Sequence, residues 1–250
     1  MRFRFTDLIL FLLLFIFVAA FPVNLITSDP YIQLAIKIAL RGLILAYYIY
    51  LIIRNRIKVF GIANIKNLLL CLPFMLLGFS NIFAAIFDGG FLFNGTDWLY
   101  ISLFTVYHLV AVIIEEIVFR LFIHNALINT TSTKRIFASA GIFALVHILN
   151  YIDSFATIAG LIAMLEQLLY TFALGVLLGL TYEYSHSLAG CVAIHFMFNF
   201  ANTILVLMLG AYSSTLAYYL SAVITALVVG GYTALIWIFI FKKPEKYYRS

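Results

Sequence analysis

The chain has 250 residues, of which 65% are hydrophobic and only 10% are charged. A soluble globular domain is about half apolar and about a quarter charged, so this composition excludes an ordinary soluble fold. The net charge of +5 does not indicate nucleic acid, because the basic residues sit at the ends of apolar runs rather than on one patch.

Apolar runs long enough to cross a bilayer recur along the chain. The first is Leu8 to Ile26, behind Arg2 and Arg4. Val18-Ala19-Ala20 would suit a leader cleavage site, but a retained span is expected ahead of so many others. Pro22 should end or kink it. The second run, Tyr31 to Ile53, carries Lys37 and Arg41 one helical turn apart. These are expected as an interior polar stripe or as snorkelling side chains, with lipid or substrate contact as the alternative. After the basic stretch Arg54 to Lys66 comes Asn67 to Phe87, which Pro73 can bend. Asp88-Gly89-Gly90 opens a turn before the fourth run, Trp98 to Ile123.

Asn129 to Arg135 reads as a loop. The fifth, sixth and seventh runs are Ile136 to Ile152, Thr157 to Leu180 and Ser187 to Leu209. In the sixth, Gly175 and Gly179 have the small-xxx-small spacing that lets helices approach closely. Leu216 to Phe241 is the eighth, before a basic tail. Cys71 and Cys191 lie inside apolar runs and read as small core residues.

Of the fifteen basic residues, all but Lys37, Arg41 and Arg120 fall in segments that are cytoplasmic if the N-terminus is inside. The opposite loops carry Asp29, Asp88, Asp97 and Asp153 and no Lys or Arg. This is the positive-inside pattern. The expectation is an all-α, polytopic membrane helical bundle of about eight transmembrane helices, with both termini cytoplasmic. It would form a single membrane-embedded domain over residues 1–250, and its Ile, Phe and Tyr richness leads us to expect a bacterial cytoplasmic membrane.

Charged groups within such runs are costly and mark function or pairing. The fourth run holds Glu115, Glu116 and Arg120; the fifth holds His147; the seventh holds His195 and Asn199. Glu116 and Arg120 are one turn apart and can pair, which leaves Glu115 about 100° away to face another neighbour. At the helical rise Glu115, His147 and His195 lie roughly 13, 16 and 12 Å from the cytoplasmic ends of their runs. Nothing in their depth forbids one shared cavity. A carboxylate withdrawn from water can act as a general base, and a histidine can help it hold a water. A histidine and an asparagine amide can donate to an oxyanion. Glu115, His147 and His195 could equally bind zinc, and residue types do not separate the two arrangements.

Glu115-Glu116-x-x-x-Arg120, Phe143-x-x-x-His147 and His195-x-x-x-Asn199, in that order, resemble the three motifs of the CPBP family. That family comprises the CAAX prenyl endopeptidases and the bacteriocin-processing membrane enzymes. The resemblance covers approximately residues 98–205. It implies an intramembrane endopeptidase open to the cytosol, with Glu115 activating water and His147 as its partner. It also implies His195 and Asn199 as the oxyanion or ligand pair, and Glu116 and Arg120 in support. The substrate would be a prenylated CAAX protein, a bacteriocin precursor or another membrane protein.

The alternatives are a non-catalytic bacteriocin self-immunity protein or scaffold of the same fold, and a proton-coupled transporter, for which no internal symmetry is visible. No H-E-x-x-H, G-x-S-G or G-x-G-D occurs, so other intramembrane protease types fit less well. Of the remaining polar residues, Glu166 is expected to pair with Gln167 or line the same cavity. His108 is expected as a core contact or behind Glu115, and His124 and His186 as interfacial.

Overall fold

A computed structural model describes residues 5–57, 59, 97–154, 157–204, 207, 227, 230–235 and 237–238. The third apolar run and most of the eighth lie outside these residues. Every regular element among the described residues is a helix. Four of its helical stretches are long and apolar enough to cross a membrane: Pro30–Arg54, Trp98–His124, Ser132–Tyr151 and Ile158–Ser185.

Helix α1 (Phe5–Ala19) stops ahead of Pro22, as the missing N–H of proline requires. Helix α2 (Pro30–Arg54) starts with proline in its first turn, and the Asp29 side chain accepts from the N–H groups of Tyr31 and Ile32 at 2.8 and 3.0 Å. Helix α3 (Trp98–Glu116) is capped in the same way by Asp97, which accepts from Tyr100 N–H at 3.0 Å and also from the Tyr31 hydroxyl. The two capping carboxylates therefore anchor α2 and α3 at one end of the bundle. Helix α3 continues as a π-helical segment, Ile117–His124, which neither glycine nor proline in its sequence announces.

Helix α4 (Ser132–Val146) begins within the stretch expected as loop, because Thr131 caps it by accepting from Lys134 N–H at 3.3 Å. It passes into a 3-10 segment, His147–Ser154. Helix α5 (Ile158–Ser185) ends where His186 adopts φ 50°. Helix α6 (Leu188–Asn199) continues as a second π-helical segment, Phe200–Ile204.

Large apolar side chains point outward, such as Leu43 at 70% and Leu169 at 65% exposure, while Glu116 and Arg120 are at 0%. This is the distribution expected in lipid, where apolar surface costs nothing and polar groups must be satisfied inside. Aromatic rings fix α1 against its neighbours. Phe11 lies 4.5 Å from Phe122 and 5.8 Å from Tyr48 between ring centroids, and the Tyr48 hydroxyl donates to Phe11 O at 2.7 Å.

The glycine spacing serves packing, as expected. A Cβ on Gly175 would stand 3.0 Å from Ala140 Cα and 3.1 Å from Phe143 Cδ1, and one on Gly179 would stand 3.2 Å from Ile136. Helix α5 thus meets α4 at a distance that only glycine permits. Gly175→Val should destabilise the protein by about 1–3 kcal/mol through overpacking and should displace Phe143. Gly141, with nothing within 4 Å of its added Cβ, is the control. Gly141→Ala should shift stability by less than about 1 kcal/mol, in the favourable direction. Thermal unfolding in detergent compares the two.

Candidate active site

Seven motif residues come from α3, α4 and α6 and their continuations and meet around one side of the contact between them. Glu116 is the hinge of this arrangement. Its Oε2 accepts from Arg120 Nε at 3.0 Å, and its Oε1 accepts from His195 Nδ1–H at 2.8 Å. The pairing with Arg120 follows the spacing read from sequence; the bond to His195 does not. Arg120 also donates to Ser139 Oγ at 3.2 Å, and Ser139 in turn donates to Phe119 O at 2.8 Å. Carboxylate, guanidinium and hydroxyl are all fully buried.

The bond to Glu116 fixes the His195 ring. With Nδ1 donating, Nε2 is turned toward Glu115 Oε2, 3.6 Å away. That distance is too long for a hydrogen bond. Glu115 Oε2 is buried and has no hydrogen-bond partner. A buried carboxylate oxygen left without a donor is uncommon and demands an explanation.

His147 is oriented in a second way. Its Nδ1–H donates to Phe143 O at 2.7 Å, so in the neutral ring the lone pair is on Nε2. His147 sits at the change from α-helix to 3-10 helix rather than inside a regular span. Phe143 is the spacer between these groups. Its ring lies 4.7 Å from that of His147, 5.6 Å from that of His195 and 5.1 Å from that of Phe119. The Arg120 guanidinium stands 5.4 Å from the same ring.

Glu115, His147, His195 and Asn199 all line a cavity of about 380 Å³. Phe15 and Val18 of α1 and Arg41 of α2 contribute to its wall. The convergence that depth alone permitted is therefore present. Among the described residues, no three His, Cys, Asp or Glu side chains stand in an arrangement that could hold a metal ion. Glu115, His147 and His195 are among the side chains that do not form such a group.

Residues 97–201 match the family model described as type II CAAX prenyl endopeptidase Rce1-like. Over this segment the match is consistent with the CPBP family. The matched segment runs from the cap of α3 through α6, so it contains every motif residue discussed above. At family level the match supports a CAAX-type intramembrane protease. It lends no support to bacteriocin immunity or to a metalloprotease. Comparisons with curated proteins and with solved structures find no match.

Other residues of the matched segment fall differently from expectation. His108 lines the cavity, with its ring 4.5 Å from that of Phe104 and 5.2 Å from that of Tyr107. Gln167 lines it too and accepts from Asn150 Nδ2 at 3.3 Å, whereas Glu166 does not reach it. His186 is exposed at the end of α5, as expected of an interfacial residue. His124 does close the span Trp98–His124, but it is buried against protein rather than exposed. It is 2% exposed and its Nε2 lies 2.7 Å from Glu183 Oε2.

Glu183 also accepts from Ser132 Oγ at 2.7 Å and from Arg135. Arg135 reaches further, to the carbonyls of Ile128 and Thr130 at 3.1 and 2.9 Å. This network holds the turn between α3 and α4 closed. The sequence reading had no place for Glu183, because its partners lie about fifty residues away along the chain. Ser139 was more accessible: Ser139, Phe143 and His147 recur every fourth residue on one face of α4.

Glu116→Ala should cost about 3–5 kcal/mol, since it strands a buried guanidinium and frees the His195 ring. Glu116→Leu combined with Arg120→Met should recover much of that stability without recovering activity. A double-mutant cycle on unfolding in detergent, run beside a cleavage assay, separates the two effects.

Proposed function

We propose that this protein is an intramembrane endopeptidase of the CAAX-protease type. Its substrate is a membrane-associated or prenylated protein, and its core spans approximately residues 98–205 of one membrane-embedded domain. In this reading eight helices cross the membrane with both termini cytoplasmic. The observation that carries it is the unpartnered Oε2 of Glu115, facing His195 Nε2 in a cavity that His147 and Asn199 also line.

The chemistry follows from which atoms are committed. Glu116, Arg120 and Ser139 are bonded to one another and do not line the cavity. Glu115 and the two Nε2 atoms are. A water held by Glu115 and His147 Nε2 loses a proton to Glu115 as its oxygen attacks the peptide carbonyl carbon. The carbonyl oxygen becomes an oxyanion. The Asn199 amide N–H donates to it, and so does His195 Nε2 when the ring carries its second proton. The C–N bond then breaks, and the proton held by Glu115 goes to the leaving amine. Glu116 keeps the His195 ring in register throughout by holding Nδ1–H. Arg120 neutralises Glu116 and so lets that carboxylate stay buried.

Glu115→Gln should lower kcat by roughly 10²–10⁴-fold, since it keeps the shape and removes the base. Asn199→Ala should lower kcat by roughly 10²–10³-fold, the usual loss for one oxyanion donor. The assay is cleavage of a mixed peptide library by purified protein, with and without a strong chelator. Cleavage that survives the chelator is expected. Cleavage lost on chelation and restored by zinc would overturn the metal-free scheme. No cleavage by any monodisperse variant or by the wild type would favour the non-catalytic immunity or scaffold reading.

A further inference from the structure

The cavity wall carries two side-chain amides that the hydrolytic scheme does not use. Asn150 lies in the 3-10 continuation of α4 and Gln167 lies on α5, and both line the cavity with Glu115 and His147. Asn150 Nδ2 donates to Gln167 Oε1 at 3.3 Å. That bond leaves Asn150 Oδ1 as an acceptor and Gln167 Nε2 as a donor. Among the described residues neither atom has a hydrogen-bond partner. Asn150 is exposed and Gln167 is half-buried, so the free edge of the pair can be reached.

A substrate brings a matching need. A helical segment hides its carbonyls in its own hydrogen bonds, so the stretch that is cut has to be extended. Its main-chain N–H and C=O groups then require partners, which lipid does not supply. A sheet edge is the common supplier for an extended peptide. Here the regular elements are helices, whose backbone groups are bonded within each helix. Asn and Gln are the side chains that carry the donor and the acceptor of the peptide unit itself. The free acceptor and donor of the pair match the N–H and C=O that one extended residue offers to a neighbouring strand.

The change of helix type at His147 sets the place. In a 3-10 helix side chains three residues apart eclipse one another. Asn150 follows His147 by three residues in such a helix and so stands on the same face, about 6 Å further on. Two residues of extended chain span roughly 6.5 Å. A peptide whose scissile bond lies beside His147 therefore brings to the pair the main chain of the residue two positions away.

We propose that Asn150 and Gln167 together bind the substrate's main chain two residues from the cleaved bond and hold it extended there. Asn150 Oδ1 accepts the N–H of that residue, and Gln167 Nε2 donates to its C=O. The contact selects an unwound segment rather than a particular side chain. This inference rests on the protease reading of the cavity.

The test uses the full-length purified protein and a peptide chosen from a mixed library by its binding to Glu115→Gln. A series of this peptide replaces one main-chain amide at a time by an ester, which removes the N–H, and keeps the scissile amide. In the wild type the ester two residues from the cut should lower kcat/KM roughly three- to tenfold, the worth of a neutral hydrogen bond. Asn150→Leu and Gln167→Leu should each weaken cleavage of the all-amide peptide, with the change carried by KM, and should bring that ester penalty to about one. Penalties at other positions should stay as they are. If the pair only ties the 3-10 segment to α5, the variants lower thermal stability in detergent and leave the ester penalty untouched, which overturns the proposal. A wild type with no penalty at that residue overturns it as well, whether or not the variants fold.

Binding of the same series to Glu115→Gln separates this inference from the reading beneath it. Cleavage by the wild type without a penalty at that residue leaves the protease and removes the main-chain contact. A binding penalty at one ester position that Asn150→Leu relieves, without cleavage by the wild type, leaves the contact and removes the protease. Binding of no library peptide removes both.

Discussion

Glu116 is a carboxylate with no exposed surface whose two oxygens are divided between two helices. One is held by Arg120 on its own helix and the other by His195 on α6. A charge in this position is tolerable only while both partners are present, because the low-dielectric interior makes an unpaired ion far more costly than in water. The arrangement of α3, α4 and α6 depends on that condition. Arg120 extends it to α4 through Ser139, and Ser139 returns it to the α3 continuation through Phe119 O. A short chain of polar contacts thus ties three helices at one level, in a protein whose outward surface gives them no hydrophobic reason to associate.

The two adjacent glutamates end in opposite situations because of this. Glu116 is saturated, and Glu115 beside it keeps a buried oxygen without a donor. Their side chains leave the helix about 100° apart, so one faces the polar tie and the other faces the cavity. Helix geometry alone therefore gives a repeated residue two different surroundings, one within the polar tie and one on the cavity wall. Phe143 completes the separation. Its ring lies against Arg120, His147 and His195, and Gly175 gives it room by letting α5 approach α4.

The cavity places different kinds of group on its walls. Helices α3 and α6 and the end of α4 supply the carboxylate, imidazoles and amide suited to hydrolysis. Helices α1 and α2 supply apolar side chains and a stacked guanidinium. In a peptidase the reacting groups carry no information about sequence. Binding contacts away from the reacting atoms supply that information. The matched segment, residues 97–201, contains the first set of groups; α1 and α2 lie outside it.

Much about this protein was determined by its sequence. Composition and run lengths required a helical membrane protein, because only helices satisfy every backbone group across so many apolar segments. The i,i+4 spacing required that Glu116 meet Arg120, and the order of three motifs pointed to the family that the comparison of residues 97–201 then supported. Tertiary structure alone decided the rest. The bond from Glu116 to His195 joins residues 79 apart, and the burial of His124 against Glu183 joins residues 59 apart. No local pattern encodes such contacts, since they depend on where α5 and α6 come to rest. The same holds for Arg41, which read as part of an interior polar stripe or as a snorkelling side chain, with lipid or substrate contact as the alternative. Only the placement of α2 beside α3 puts its charge over Tyr107 and into the cavity.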